Sequence, residues 1–212
     1  MNINIGLPEQ LTMREHGNYL EITRRWFSLS VIFMTFFAFV WDIFLLAWYG
    51  VVLSQKSIPV VFALIPLAHV AVGIGVSYFA LAGWLNHTQI LVSPEDLAIR
   101  HAPLPWFGQQ ELKSRSLRQL YSKEVVSYSK NGRTVRYELR AITDEGRNIK
   151  LLSGLESSEQ ALYIEQQIEK YLSIRNENVP GEIGYDSQAP TFERWDPFKA
   201  DPSAPTFPDK KF

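Results

Sequence analysis

Two apolar runs separated by five residues constrain this chain more than anything else in it. Residues 26–53 (WFSLSVIFMTFFAFVWDIFLLAWYGVVL) hold a single charged side chain, Asp42, and residues 59–85 (PVVFALIPLAHVAVGIGVSYFALAGWL) hold none. A helix needs about 20 apolar residues to cross a hydrocarbon core ~30 Å thick, and both runs exceed that. Each is apolar on every face, unlike the one-sided stripe of a helix lying on a soluble core. The link SQKSI (54–58) is too short for anything but an antiparallel pair. The expectation is a two-helix transmembrane hairpin over residues 26–85.

Aromatic and basic residues orient it. Trp26 and Phe27 open the first run, Trp48 and Tyr49 close it, and Trp84 closes the second. Trp and Tyr favour the headgroup level. Arg24 and Arg25 precede the hairpin, Arg100, Lys113, Arg115 and Arg118 follow it, and the loop carries only Lys56. Positive charge on the inner side predicts two spans with both termini cytoplasmic. The first 25 residues are polar and do not read as a signal peptide.

Asp42 and His69 are the ionisable residues within the spans. In a tight hairpin centred on Lys56, residue 42 lies level with residue 70, so the two sit near one depth. Intramembrane ionisable groups generally face a partner. The expectation is an Asp42–His69 hydrogen bond, read either as interhelical glue or as a proton relay. Ala71/Gly75 and Gly73/Ser77 are small-xxx-small pairs that let helices approach closely, and Pro66 predicts a kink.

Outside the spans the pattern changes to β. HTQILVS (87–93) and LAIRH (97–101) flank a PED turn, and APLPWFG (102–108) is a Pro/Gly-punctuated crossing. Residues 116–130 and 133–143 flank Asn131-Gly132, a strong hairpin signal because both turn positions need positive φ. RNIKLLS (147–153) is a further strand. SSEQALYIEQQIEKYLSI (157–174) is an amphipathic helix, with Ser157 as N-cap and a stripe of Ala161, Ile164, Ile168, Tyr171 and Leu172. LTMREHGNYLEITRRW reads as two short strands around His16-Gly17-Asn18, or else as a lead-in to the first span. With those counted, about seven strands precede one helix. The predicted fold is α+β: a membrane hairpin plus a pleckstrin-homology-like (PH-like) antiparallel barrel or sheet with a C-terminal helix. The predicted divisions are 1–25, 26–85, 86–175, and a Pro-rich disordered tail, 176–212.

Several stretches carry a resemblance: RRWFS (24–28), WDIFLLAWY (41–49), LIPLAHVAVGIG (64–75), ALAGWLN (80–86), PLPWFG (103–108), QLY (119–121), LLSGLESSEQALYIEQQIEKYL (151–172) and VPGE (179–182). In this order the chain resembles an uncharacterised bacterial family of small two-span membrane proteins, found in cyanobacteria among others. Some members carry an N-terminal zinc ribbon. This chain has no cysteine and departs from them there. The resemblance implies the two-span architecture and no particular reaction.

The chemistry of the chain is sparse. Its 212 residues carry a net charge of −1, which does not favour nucleic acid. Without cysteine there are no disulfides, thiolate sites or Cys nucleophiles. No nucleotide-binding, hydrolase-elbow or zinc-protease motif occurs, so no enzyme and no cofactor is expected. His87 and His101 fall nearly opposite each other across the Pro94-Glu95 turn, yet two histidines alone make a poor metal site, and none is predicted. Glu95, Asp96, Asp144 and Glu145 lie in turn signals. Lys130, Arg133, Arg136 and Arg140 gather around the Asn-Gly hairpin, either as a solvated face or as a contact for anionic lipid headgroups. Trp106 and Phe107 either dip into the membrane interface or cover the end of the core. The tail holds six of the twelve prolines, a repeated APTF (189–192 and 204–207) and spaced aromatics. It reads as docking anchors or as inert chain. The expected function is a membrane-anchored adaptor or assembly protein whose partner is a membrane protein or complex. The alternative is an intramembrane subunit of a transporter or proton-handling complex using Asp42 and His69.

Overall fold

The computed structural model describes residues 6–55, 60–64, 66–130 and 132–184. Among the described residues, eight strands and four α-helices run in the order β1 (Leu11–Glu15), β2 (Leu20–Arg25), α1 (Leu29–Ser54), α2 (Val61–Leu64), α3 (Leu67–Leu85), β3 (His87–Val92), β4 (Asp96–Ala102), β5 (Gln110–Lys113), β6 (Leu117–Ser129), β7 (Gly132–Thr143), β8 (Asn148–Leu155) and α4 (Ser158–Leu172). One strand, β5, exceeds the sequence expectation; its four residues QELK carry no β-branched signal. Residues 11–25 form β1 and β2, and both belong to the sheet.

β1 to β5 make one antiparallel sheet in chain order, and β6 to β8 make a second. The helical hairpin is spliced between β2 and β3, which are hydrogen-bonded neighbours running from Leu20↔Val92 to Arg25↔His87. The inward rows of the first sheet are aliphatic: Leu20–Val92–Leu97, then Ile22–Ile90–Ile99. They meet Leu120, Leu139, Leu152 and Leu155 of the second sheet and Ala161, Ile164 and Ile168 of α4 in one core. Ser157 caps α4 by accepting from Gln160 N at 3.2 Å.

α1 and α3 are both long and apolar enough to cross a membrane. At 1.5 Å per residue they span roughly 39 Å and 28 Å. Their large side chains, Phe33, Phe36, Leu46 and Ile74 among them, face outward rather than into a protein core. Helix α1 starts at Leu29, so Trp26 belongs to the sheet side. The second run is divided: α2 ends at Leu64, and Pro66 caps α3. The two helices meet along Val31, Ala38 and Leu45 on α1 and Gly73, Ala80 and Gly83 on α3. A Cβ on Gly83 would lie 2.6 Å from Val31 Cγ2, so this crossing requires glycine.

Residues 176–184, expected to begin the disordered tail, lie along β6. Glu177 N donates to Gln119 Oε1 and Ile183 N to Ser122 O, at 3.0 and 2.9 Å. The aromatics and APTF repeats further on lie outside the described residues, as do Lys56 and Asn131.

Candidate functional site: a polar row at the mouth of the sheets

Adjacent residues on a strand point to opposite faces. Arg24 therefore continues the inward row of Leu20 and Ile22, while Arg25 faces out. The strand register sets Arg24 against Thr88, and Thr88 against His101. Two purely aliphatic rows are thus followed by a wholly polar one, Arg24–Thr88–His101, at the end where both long helices leave the sheet.

The row is wired together. Trp26 Nε1 donates to Thr88 Oγ1 at 2.8 Å, and Thr88 Oγ1 lies 3.0 Å from His101 Nδ1. Thr88 is 2% exposed, so its hydroxyl proton needs a partner inside. Having accepted from Trp26, it donates to Nδ1. That leaves the His101 proton on Nε2, the nitrogen facing Gly108. Burial holds His101 below its ordinary pKa, and the nearby Arg24 charge pushes it the same way, so the ring is a neutral donor. Arg24 Nη2 donates to Gly154 O at 3.0 Å. Its Nε is buried with no hydrogen-bond partner among the described residues. Burial lowers the guanidinium pKa; Glu156 opposes this and Arg136 adds to it.

These groups line a cavity of about 160 Å³, closed by Trp106, Gly108 and Gln110 on one side and by residues 150–153 of β8 on the other. Gln110 Nε2 bridges the two sheets by donating to Lys150 O at 2.8 Å. The loop 103–108 forms the outer wall and is fastened to α3. Asn86 accepts from Leu104 N and donates to Leu104 O, at 2.7 and 3.0 Å. Tyr78 Oη donates to Pro105 O at 2.6 Å. Trp106 stacks on Tyr78, lies against Phe79, and meets Trp26 edge-on. Tyr78 sits seven residues before the end of α3, so the loop reaches roughly 10 Å along the helix. At its tip, Phe107 is 91% exposed.

The other sequence candidates fall elsewhere. His87 pairs with Ala102 and not with His101. The one-residue offset sends the two histidines to opposite faces, and among the described residues no group could hold a metal ion. The Asp42–His69 hydrogen bond expected from the sequence does not form. Ser77 Oγ donates to Asp42 Oδ2 at 2.7 Å, and the His69 ring stacks on Trp41. Asp42 Oδ1 lies beside Gly73, so the helices are offset by several residues from a hairpin centred on Lys56. Of the four basic residues near the β6–β7 turn, Arg133 pairs with Glu124 and Arg140 with Glu138, each at 3.0 Å. Lys130 and Arg136 are exposed.

Sequence reasoning missed a second polar cluster, beneath α4. Glu165 and Glu169 are 1% and 6% exposed. Burial, then the charge of Glu182, pushes Glu165 up to about 7, with Ser122 offsetting part of the shift. Burial and the two neighbouring carboxylates push Glu169 up to about 8. Gln119 Nε2 donates to Glu169 Oε1 at 3.4 Å. The signal was present as the i, i+4 pair Glu165/Glu169 beside the apolar stripe of α4.

No family model and no curated protein matches this chain.

Proposed function

We propose that this chain is a two-span membrane protein, with both ends on the cytoplasmic side, that acts without catalysis as an adaptor or scaffold for another membrane protein. The carrying observation is the way the long helices join the sheet. They leave from neighbouring strands with only Trp26–Ser28 and Asn86 between strand and helix, and the 103–108 loop fastens the sheet to α3. A domain joined like this cannot swing away from the bilayer. Its topology, a meander of β strands in two sheets closed by a C-terminal helix, supports the PH-like reading.

A groove of about 970 Å³ runs from Phe27, Leu29, Trp84 and Leu85 on the helices to Arg14, Glu21 and Arg25 on the outer sheet face. It is apolar at the level of the bilayer and charged beyond it, which suits a partner that itself emerges from the membrane. The proton-handling alternative draws no support from Asp42 and His69, whose contacts go to different residues.

Because the chain has no cysteine, single cysteines report cleanly on topology. Ser57→Cys is expected to react with an impermeant maleimide on intact cells, and Glu145→Cys only after permeabilisation. The reverse pattern overturns the orientation. For the adaptor reading, a photo-crosslinker at Gln89 is expected to yield a discrete adduct with a membrane protein in native membranes. The same crosslinker at Glu145 is expected to yield none. Equal yields at the two positions overturn it.

A further inference from the structure

Polar residues fill one complete row beside the two aliphatic rows of the first sheet, and Arg24, Thr88 and His101 of that row all line the cavity. Arg24 Nε carries a proton with no acceptor among the described residues, and the His101 proton sits on Nε2. A buried guanidinium with an unused donor is costly unless an anion meets it. We propose that this pocket binds the phosphate of a phosphate ester, held by the Arg24 guanidinium and His101 Nε2–H between the Trp26 and Trp106 rings, with an anionic phospholipid as the favoured source.

Size, charge and position support this. About 160 Å³ holds a phosphate and a few more heavy atoms, well short of the roughly 300–1,000 Å³ of sites that enclose drug-sized ligands. Lys150 lines the pocket, and Arg136 is close enough to be felt at Arg24. Glu156 opposes them near Arg24, and Glu138 lies 3.8 Å from Lys150. A planar guanidinium suits phosphate oxygens better than a point charge does. The pocket's outer wall is the loop that runs along α3 and ends in the exposed Phe107. An aromatic tip at that level belongs at the bilayer interface, so headgroups lie beside the opening. Only the choice of a lipid source rests on the membrane reading above. The phosphate site itself stands on the pocket geometry.

The test uses the full-length protein in a neutral detergent, with intrinsic tryptophan fluorescence reporting on Trp26 and Trp106. The probes are dihexanoyl phosphatidylglycerol, dihexanoylglycerol, which lacks phosphate, and glycerol 3-phosphate. The expected result is saturable binding of the phosphatidylglycerol, none of the dihexanoylglycerol, and a loss of at least about tenfold in affinity in both R24Q and H101F. R133Q, outside the pocket, is expected to change affinity less than twofold. Binding of the phosphatidylglycerol without glycerol 3-phosphate assigns the site to the bilayer. Equal binding of both assigns it to a soluble phosphate ester and keeps the phosphate site. Equal binding of dihexanoylglycerol and phosphatidylglycerol overturns the proposal. So does unchanged affinity in whichever of R24Q and H101F retains its circular dichroism and melting transition. If the topology labelling fails, the glycerol 3-phosphate arm still reads the pocket.

Discussion

The domain buries two polar clusters and treats them in opposite ways. At the mouth of the sheets, a cation with an unpaired Nε and a neutral imidazole line a cavity. Beneath α4, Glu165 and Glu169 are covered by the chain itself, with residues 177–183 bonded across β6. The acids meet their desolvation cost by holding protons, as their raised pKa values show. Arg24 has no such escape at any ordinary pH, because a guanidinium stays protonated. Glu165 Oε2 also lacks a hydrogen-bond partner among the described residues, but a carboxyl can shed its charge there, whereas the Arg24 guanidinium keeps its charge and asks for a partner.

The largest effect is expected where the mouth is wired most tightly. Thr88→Val keeps the side chain's shape but removes the hydroxyl that serves both Trp26 and His101. Each buried group left unpaired costs about 1–3 kcal/mol, so a loss of roughly 2–4 kcal/mol in unfolding free energy is expected in denaturant melts. A change below about 1 kcal/mol would break the claim that the row is a connected network.

Next comes the acid pair. In the unfolded chain these carboxyls titrate near 4.5, and in the folded one they titrate near 7 and 8. Between those values the folded state binds the extra proton. Stability is therefore full below about pH 4.5 and is lost as pH rises through 7 and 8, at about 1.4 kcal/mol per pH unit per proton. Glu169→Gln fixes one site in its neutral form. It is expected to lie within about 1 kcal/mol of wild type at pH 5 and to gain a further roughly 2 kcal/mol on it by pH 6.5, on the same linkage. Thermal melts at the two pH values decide this. A constant difference between variant and wild type across the range would sink the acid-pair account.

How much of this was legible depended on the range of the signal. The apolar runs, the β6–β7 hairpin and the Ser157 cap are local patterns and could be read directly. The polar row was half-legible: the alternation Leu20, Ile22, Arg24 already places Arg24 inside. That Thr88 and His101 share its row depends on a two-strand register, and a slip of one residue sets His101 against the outward His87 instead of Thr88. Asp42's partner was missed because the register was taken from the loop centre. The closest approach is set instead by Gly73 and Gly83, which let α3 lie against Asp42 and Val31. The four-residue β5 had no periodicity to show.

A smaller effect separates ligand binding from stability at the mouth. Arg24→Met replaces the buried guanidinium with an apolar chain of similar length that still packs in the row. Removing a buried charge along with its demand for a partner is often neutral for folding, so unfolding free energy is expected to stay within about 1 kcal/mol of wild type. Phosphate binding is expected to disappear. A variant that unfolds while the wild type is stable would make Arg24 a structural residue, through its bond to Gly154 O, and would erase the contrast with the acid pair.

The smallest effect tests whether basic charge by itself accounts for the mouth. Arg133 is as cationic as Arg24 but more than half exposed, and it is already matched by Glu124 at 3.0 Å. An exposed pair of this kind contributes about 0.2–1 kcal/mol, and salt screens it further. Arg133→Gln is therefore expected to shift unfolding by less than about 0.5 kcal/mol, and less still at 0.5 M salt. The phosphatidylglycerol titration gives the second reading. If R133Q weakens binding as much as R24Q does, the β6–β7 arm is the anion-binding surface. If only R24Q responds, the relevant variable is burial in the pocket and not the count of basic residues.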